Sequence, residues 1–212
     1  MDLFSNITPI ETPFGGVSLL RGFALKDEAT LLADLESIIT QAPFRHMVTP
    51  SGFAMSVAMS NCGELGWVTD RQDYRYSNLD PLTQKPWPPM PDSFLALSRA
   101  AALAAGYADF TPDACLVNRY QTGARMGLHQ DKNERDFTQP IVSVSLGVPA
   151  TFQFGGLKRT DKALNVPLYH GDVVVWGGEA RLRYHGILLL KANMHPALGG
   201  VRINLTFRKA GQ

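Results

Sequence analysis

In "RMGLHQDKNE", residues 125–134, His129 and Asp131 stand two apart. On an extended chain, residues i and i+2 face the same way, so an imidazole nitrogen and a carboxylate oxygen can converge on one ion. The pattern is short enough to arise by chance among five histidines, and "HGD" at 170–172 is a second instance. There Gly171–Asp172 reads as a turn feeding the apolar "VVVWGG", which gives His170 a structural place at its edge. A third ligand decides whether the first pair is a metal site, and His185 in "RYHGILLL" is the best candidate. Two histidines and one carboxylate on one face of Fe(II) leave positions open for a cosubstrate and O2. By spacing alone a zinc site and buried structural histidines stay open beside the Fe(II) triad.

A second pattern bears on that choice. In "RINLTFR" the residues Arg202, Asn204, Thr206 and Arg208 alternate and so share one face of a strand. Two guanidinium forks on an inward face are costly unless carboxylates meet them. A salt-bridged barrel edge would meet that need. A dicarboxylate that chelates a metal at one end and meets arginine at the other would explain both patterns, and 2-oxoglutarate is such a molecule.

The elements that must position these residues are legible in outline. Behind Asp27, "DEATLLADLESIITQA" carries Leu31, Leu35, Ile38 and Ala42 at helical spacing, and "DSFLALSRAAALAAGY" reads as a second helix starting at Asp92 or Ser93. Residues 43–91 mix Met, aromatics, Gly and Arg without helical periodicity and end in a proline-rich stop, which predicts short strands and loops. From 113 onward, "ACLVNRY", "IVSVSLG", "ATFQFGG", "DVVVWGG", "RYHGILLL" and "VRINLTFR" are short β-rich runs divided by turns. Several such runs without intervening helices predict an antiparallel sandwich or jelly roll.

The 212-residue chain, 45% hydrophobic, can bury one substantial core but not two full domains. Its formal net charge of +1 excludes the global positive field of many sequence-independent DNA binders, so any nucleic-acid contact must be local. Cys62 and Cys115 are far apart and in no Cys-x-x-Cys pattern, which argues against a disulfide framework and a thiolate zinc site and for a reducing cytosol. The first sixteen residues lack the pattern of a signal peptide, and no run of about 18 apolar residues follows. The expected localisation is cytoplasmic and off the membrane.

The combination of "MVTP", "MSVAM", "NCG", "LGW", "PDACL", "NRY", "LHQDK", "PIVSVSLG", "FQFGGLKR", "HGDVVVWGGE", "YHGI" and "NLTFR" resembles the AlkB-type alkylated-DNA-repair dioxygenases, which are Fe(II)/2-oxoglutarate enzymes. The resemblance covers almost the whole chain from about residue 17. It implies an α+β, mainly β fold: a double-stranded β-helix (jelly roll) with supporting N-terminal helices and a nucleotide-recognition lid. It implies one dioxygenase domain over 1–212, with the lid at 43–91 and the jelly-roll core at 111–210.

Carried over residue by residue, the resemblance makes His129, Asp131 and His185 the iron ligands and leaves His170 in its turn. It implies that Arg202 meets the distal carboxylate of 2-oxoglutarate, that Arg208 lies near its chelating end, and that Asn118, Tyr120, Asn204 and Thr206 complete the pocket. It places Trp67 and His129 as the walls of a slot for the damaged base, with Tyr74, Tyr76 and Arg159 at its edges. A cationic methylated base suits stacking on an electron-rich ring. Arg45, Arg71 and Arg75 of the lid and Arg125 are then expected to grip phosphates. Asn133 stands where the resembled enzymes carry an Asp near the exocyclic amine; an amide can accept a hydrogen bond but offers no charge. Trp87 and Trp176 read as core.

The implied activity is oxidative removal of N-methyl groups, as in 1-methyladenine or 3-methylcytosine, with Fe(II) as cofactor and 2-oxoglutarate and O2 as cosubstrates. The implied partners are alkylated DNA and RNA, with the protein acting as a monomer; the near-zero net charge fits a short footprint with few phosphate contacts and so predicts a preference for single strands. The same chemistry on a small molecule or protein side chain, or a non-catalytic nucleic-acid-binding jelly roll, are the competing readings.

Overall fold

The structure is a computed structural model and describes residues 10–211. The first nine residues of the segment read above against a signal peptide therefore lie outside the described residues. Along the chain run β1 (Ile10–Phe14), β2 (Val17–Leu20), α1 (Glu28–Gln41), β3 (Arg45–Val48), β4 (Ala54–Gly63), β5 (Gly66–Thr69), β6 (Tyr74–Ser77) and α2 (Asp92–Ala104). They are followed by β7 (Ala114–Tyr120), β8 (Met126–His129), β9 (Ile141–Gly147), β10 (Ala150–Phe154), β11 (Leu164–Leu168), β12 (Val173–Trp176), β13 (His185–Ile187) and β14 (Arg202–Arg208).

The strands form an eight-stranded sheet, in order β1-β2-β12-β9-β14-β7-β4-β3, and a four-stranded sheet, β11-β10-β13-β8. All described pairings are antiparallel. Among the described residues, the two α-helices and fourteen strands bear out the expected mainly β fold.

Period-two alternation decides what each face of the large sheet does. Val173 and Val175 of β12 and Ile203, Leu205 and Phe207 of β14 join one core cluster with Leu31, Leu35 and Ile38 of α1 and Phe94 and Leu97 of α2. Val174 and Trp176 point the other way, into a second cluster with Phe152 and Phe154 of the small sheet. The helices thus stiffen the back of the large sheet, and the front, with the small sheet, forms the mouth of the jelly roll. Phe94 is fully buried and meets Phe207 edge-on, with ring centroids 5.8 Å apart. Phe94→Ala is expected to cost about 3–5 kcal/mol, read as a lower urea midpoint, because the rigid sheet behind it cannot close the cavity.

Residues 43–91 form strands and loops, as expected, but not one separate unit. β3 and β4 extend the large sheet, β4 pairing with β7, and only β5 and β6 form a hairpin of their own. Cys62 and Cys115 are free, buried and opposite one another across that β4–β7 pair. No helix among the described residues is long and apolar enough to cross a membrane.

Candidate metal centre and cosubstrate pocket

β14 lies between β9 and β7 in the middle of the large sheet, which is why its polar face is sealed. Arg202 is opposite Tyr120, and Asn204 is opposite Asn118, so the two alternating sets read from the sequence meet across one ladder. Asn118, Tyr120, His129, His185, Arg202, Asn204, Thr206 and Arg208 all line a single cavity. Within it Asn118 Nδ2 donates to Asn204 Oδ1 at 3.2 Å, and the Thr206 hydroxyl donates to the same oxygen at 2.9 Å. Arg202 is 1% exposed; its Nη2 donates to Ser145 Oγ at 3.0 Å, and its guanidinium lies 5.0 Å from the Tyr120 ring centroid. Its Nε and Nη1 have no hydrogen-bond partner, and neither has Asn118 Oδ1. Buried donors left unmet are costly, so this pocket is built for a polar guest.

At the cavity mouth His129, Asp131 and His185 each offer a ligand atom, all within 4.8 Å of one another. β8 and β13 pair with His129 directly opposite His185, and the two rings have centroids 4.4 Å apart. Each Nδ1 lies against a backbone carbonyl, His129 with Gly127 at 2.9 Å and His185 with Arg183 at 3.1 Å. An Nδ1–H donating there leaves the Nε2 lone pair for a metal. Both Nε2 atoms face Asp131, at 3.8 Å for His129 and 3.6 Å for His185. Burial first, and the neighbouring His185 second, push the His129 imidazole down to about 4, so it is a neutral ligand at pH 7.

Asp131 is not placed by strand alternation. It follows the end of β8, two residues beyond His129, so the simple i, i+2 strand geometry does not apply. Its position comes from arginines remote in sequence. Arg208 Nε and Nη2 both donate to Asp131 Oδ2, at 3.0 and 2.7 Å, and Arg181 Nη1 donates to the Asp131 carbonyl at 2.9 Å. Burial alone would raise the Asp131 carboxyl, but the Arg208 guanidinium and then His185 hold it well below the usual carboxylate range.

The stretch around Asp131 holds a residue that sequence reasoning missed. Glu134, not Asn133, turns into the site: it is buried, accepts from Tyr76 OH at 2.6 Å and from Arg181 Nη2 at 3.1 Å, and lies 3.5 Å from Arg208 Nε. Burial raises the Tyr76 phenol, outweighing the opposing pull of Arg208, so it stays protonated and donates. Asn133 is exposed, its Nδ2 donating to the Tyr74 carbonyl at 3.3 Å.

The β5–β6 hairpin brings the expected base-contacting residues together. Trp67 pairs with Tyr76 across the hairpin and stacks on Tyr74, with centroids 5.7 Å apart at 25°. Buried Asn61 clamps the Trp67 backbone, donating to its carbonyl and accepting from its N–H, each at 3.0 Å. Arg159 is exposed, 5.6 Å over the ring of Tyr184, which directly precedes His185. Two arginines expected on phosphates are already paired: Arg45 with Asp80 at 2.8 Å, and Arg75 with Asp70 and Asp73, each at 2.7 Å. Arg71 and Arg125 are exposed. Trp87 is core as expected, whereas Trp176 is both core and cavity wall, 4.9 Å from His185.

A jelly roll that converges two histidines and an ionised carboxylate, with open positions and a buried arginine behind them, defines a mononuclear iron oxygenase site. The chain belongs to the 2OG-Fe(II) oxygenase superfamily, whose family model matches residues 16–208, and within it to the AlkB-type dioxygenases. It is 58% identical over 213 residues to the alpha-ketoglutarate-dependent dioxygenase AlkB of Salmonella typhimurium, spanning all of this chain and 99% of that one. A more distant relative is the nucleic acid dioxygenase ALKBH1 of Homo sapiens, 31% identical over 124 residues that make up 58% of this chain and 32% of that protein. The solved structure of OsALKBH1 superposes with a TM-score of 0.84 at 29% identity, over 95% of this chain and all of that one. Fe(II) is therefore the metal and 2-oxoglutarate the cosubstrate of this enzyme.

Proposed function

We propose that the protein is a direct-reversal repair enzyme that removes methyl groups from 1-methyladenine- and 3-methylcytosine-type lesions in nucleic acid. In this reading His129, Asp131 and His185 hold the iron. Arg202 takes the distal carboxylate of 2-oxoglutarate, Arg208 stands by its chelating end, and Asn118, Tyr120, Asn204 and Thr206 fill in the polar wall. The bound iron and 2-oxoglutarate supply hydroxylation by O2, with the cosubstrate leaving as succinate and CO2. The hydroxymethyl base then loses formaldehyde and is restored without strand cleavage.

The observation that carries this reading is the pair of unmet Arg202 donors in the cavity that the two histidines share. Charge balance supports it. Arg181 and Arg208 meet Glu134 and Asp131, which leaves buried Arg202 as one positive charge in excess; a divalent cation increases that excess and a dicarboxylate relieves it.

Trp67 and Tyr74 present an aromatic face to a flipped base, and Tyr76, Asn133 and Arg159 bound it. A methyl on the pairing edge is hidden in a duplex, and because it also blocks pairing it lowers the cost of extrusion. With a net charge of only +1, and with Arg45 and Arg75 neutralised, few cations remain for phosphates. A short footprint follows, which favours single-stranded DNA, with RNA as a further substrate. The reading is completed by a single catalytic domain over 1–212, acting as a monomer in the cytoplasm.

The test is formaldehyde and succinate release from single-stranded, duplex and RNA oligonucleotides carrying 1-methyladenine or 3-methylcytosine, with and without 2-oxoglutarate. Expected is 2-oxoglutarate-dependent formaldehyde, fastest from the single DNA strand. No formaldehyde from either DNA lesion defeats the reading.

A further inference from the structure

The "HGD" turn at 170–172 is the chemistry-bearing motif that the reaction does not use. Asp172 is buried and saturated: it accepts from Arg21 Nη1 at 2.7 Å and from the N–H groups of Gly22 and Tyr169, both at 2.9 Å. His170 differs from the two metal-facing histidines in one respect. Its Nδ1 accepts the backbone N–H of Gly147 at 2.9 Å. A ring nitrogen that accepts is unprotonated, so neutral His170 carries its hydrogen on Nε2.

That tautomer decides against a second metal site. Glu28, His170 and His195 gather within 4.8 Å, but His170 Nε2 has no lone pair to give. It faces Glu28 Oε1 at 3.2 Å, too poorly aligned to count as a hydrogen bond, so the contact is electrostatic. His129 and His185, with carbonyls instead of an amide at Nδ1, have the opposite polarity and can bind a metal.

What the turn does hold is the strand end that aligns Arg202. Ser145 N–H donates to the Asp172 carbonyl at 2.9 Å, and Gly171 N–H donates to the Ser145 carbonyl at 2.8 Å. His170 adds a third tie at Gly147, the residue opposite Arg202 in the β9–β14 ladder. Ser145 is the one that accepts from Arg202 Nη2. Gly147 has φ of +90°, and a Cβ there would lie 2.3 Å from the Val201 carbonyl oxygen. Glycine is therefore required at the freest backbone position of that ladder, and it has no side chain of its own to fix it.

We propose that His170 is a positioning residue for 2-oxoglutarate: by accepting the Gly147 N–H it fixes the end of β9 against which Arg202 is aligned. It touches neither cosubstrate nor metal. The inference rests on the assignment of Arg202 to the distal carboxylate.

The test compares full-length wild type with His170→Gln, His170→Asn and Arg202→Lys by anaerobic titration of 2-oxoglutarate into the Fe(II) protein, by steady-state kinetics and by thermal midpoint. Gln keeps the bulk of the ring but puts its amide at the Nε2 position, whereas Asn restores an acceptor where Nδ1 lies. His170→Gln is expected to raise the Kd and KM for 2-oxoglutarate about tenfold, with kcat and the oligonucleotide KM within about twofold. His170→Asn is expected to bring both back to within about threefold of wild type. A His170→Gln protein with a lowered midpoint but unchanged 2-oxoglutarate Kd, or an Asn variant as impaired as Gln, overturns the proposal. If Arg202→Lys also leaves that Kd unchanged, the Arg202 assignment is what fails; if Lys raises it and Gln does not, only the role of His170 fails.

Discussion

Asp131→Ala is expected to reduce demethylation by at least about a thousandfold and to abolish the visible band that 2-oxoglutarate gives with Fe(II) under anaerobic conditions. Two effects combine. The substitution removes the anionic member of the metal set, leaving only the two imidazoles, and it strips Arg208 of the oxygen that takes both its Nε and its Nη2. The second effect is a stability change as well. Asp131 is held ionised in the fold, so its contribution is complete above the ordinary carboxylate pKa of about 4 and is lost only as pH falls through the depressed folded value. At pH 7 the full contribution is therefore at stake. Breaking a buried pair costs about 3–5 kcal/mol, and the fall here is expected below that range because Glu134 still lies 3.5 Å from Arg208 Nε. Urea denaturation of the metal-free variant measures this part, and turnover at saturating Fe(II) measures the other. Activity within tenfold of wild type would remove Asp131 from the metal set.

How much of this was legible depends on whether the signal is local. The face of β14 was, because alternation alone separates Arg202, Asn204, Thr206 and Arg208 from Ile203, Leu205 and Phe207. Its register against Tyr120 and Gly147 was not, since nothing in either strand encodes the partner. The helices and most strands were readable from periodicity, but β8 and β11 are short and weakly patterned, and β3 and β4 joined the large sheet for reasons of pairing, not composition. The convergence of Asp131 with the histidines depends on Arg208, 77 residues away. Glu134 was hidden for the same reason: its burial follows from Tyr76, Arg181 and Arg208, all remote in sequence. By contrast, the neutralisation of Arg75 could have been anticipated, because Asp70 and Asp73 precede it closely in "TDRQDYRY". The difference between the two His-x-Asp pairs lies in whether a carbonyl or an amide meets Nδ1, which only the folded backbone determines.

Arg202→Met is expected to move stability and function in opposite directions. The wild-type guanidinium is sealed in the sheet with Nε and Nη1 unpartnered, and burial pulls its pKa down against the opposing help of Tyr120. An ion in that state weighs against the ligand-free fold, and replacing such groups with apolar side chains of similar size is often neutral or stabilising by about 1–4 kcal/mol. Methionine matches the length of the arginine stem and loses only the Ser145 bond and the contact over Tyr120. The ligand-free variant is therefore expected to unfold at a urea concentration equal to or above that of wild type. Binding of 2-oxoglutarate should collapse. Loss of a desolvated, charge-assisted carboxylate contact costs about 2–5 kcal/mol, or roughly thirtyfold to several thousandfold in Kd. In the proposed placement Arg202 holds the end of 2-oxoglutarate away from the reacting atoms, so kcat should recover at saturating 2-oxoglutarate and the defect appears in KM. Ligand-induced stabilisation offers an independent readout: adding 2-oxoglutarate raises the unfolding midpoint of a protein that binds it, and the variant should show little of that rise. A variant that is less stable than wild type yet binds 2-oxoglutarate normally would make Arg202 a structural residue whose missing partner lies elsewhere. The unmet donors would then need a different guest.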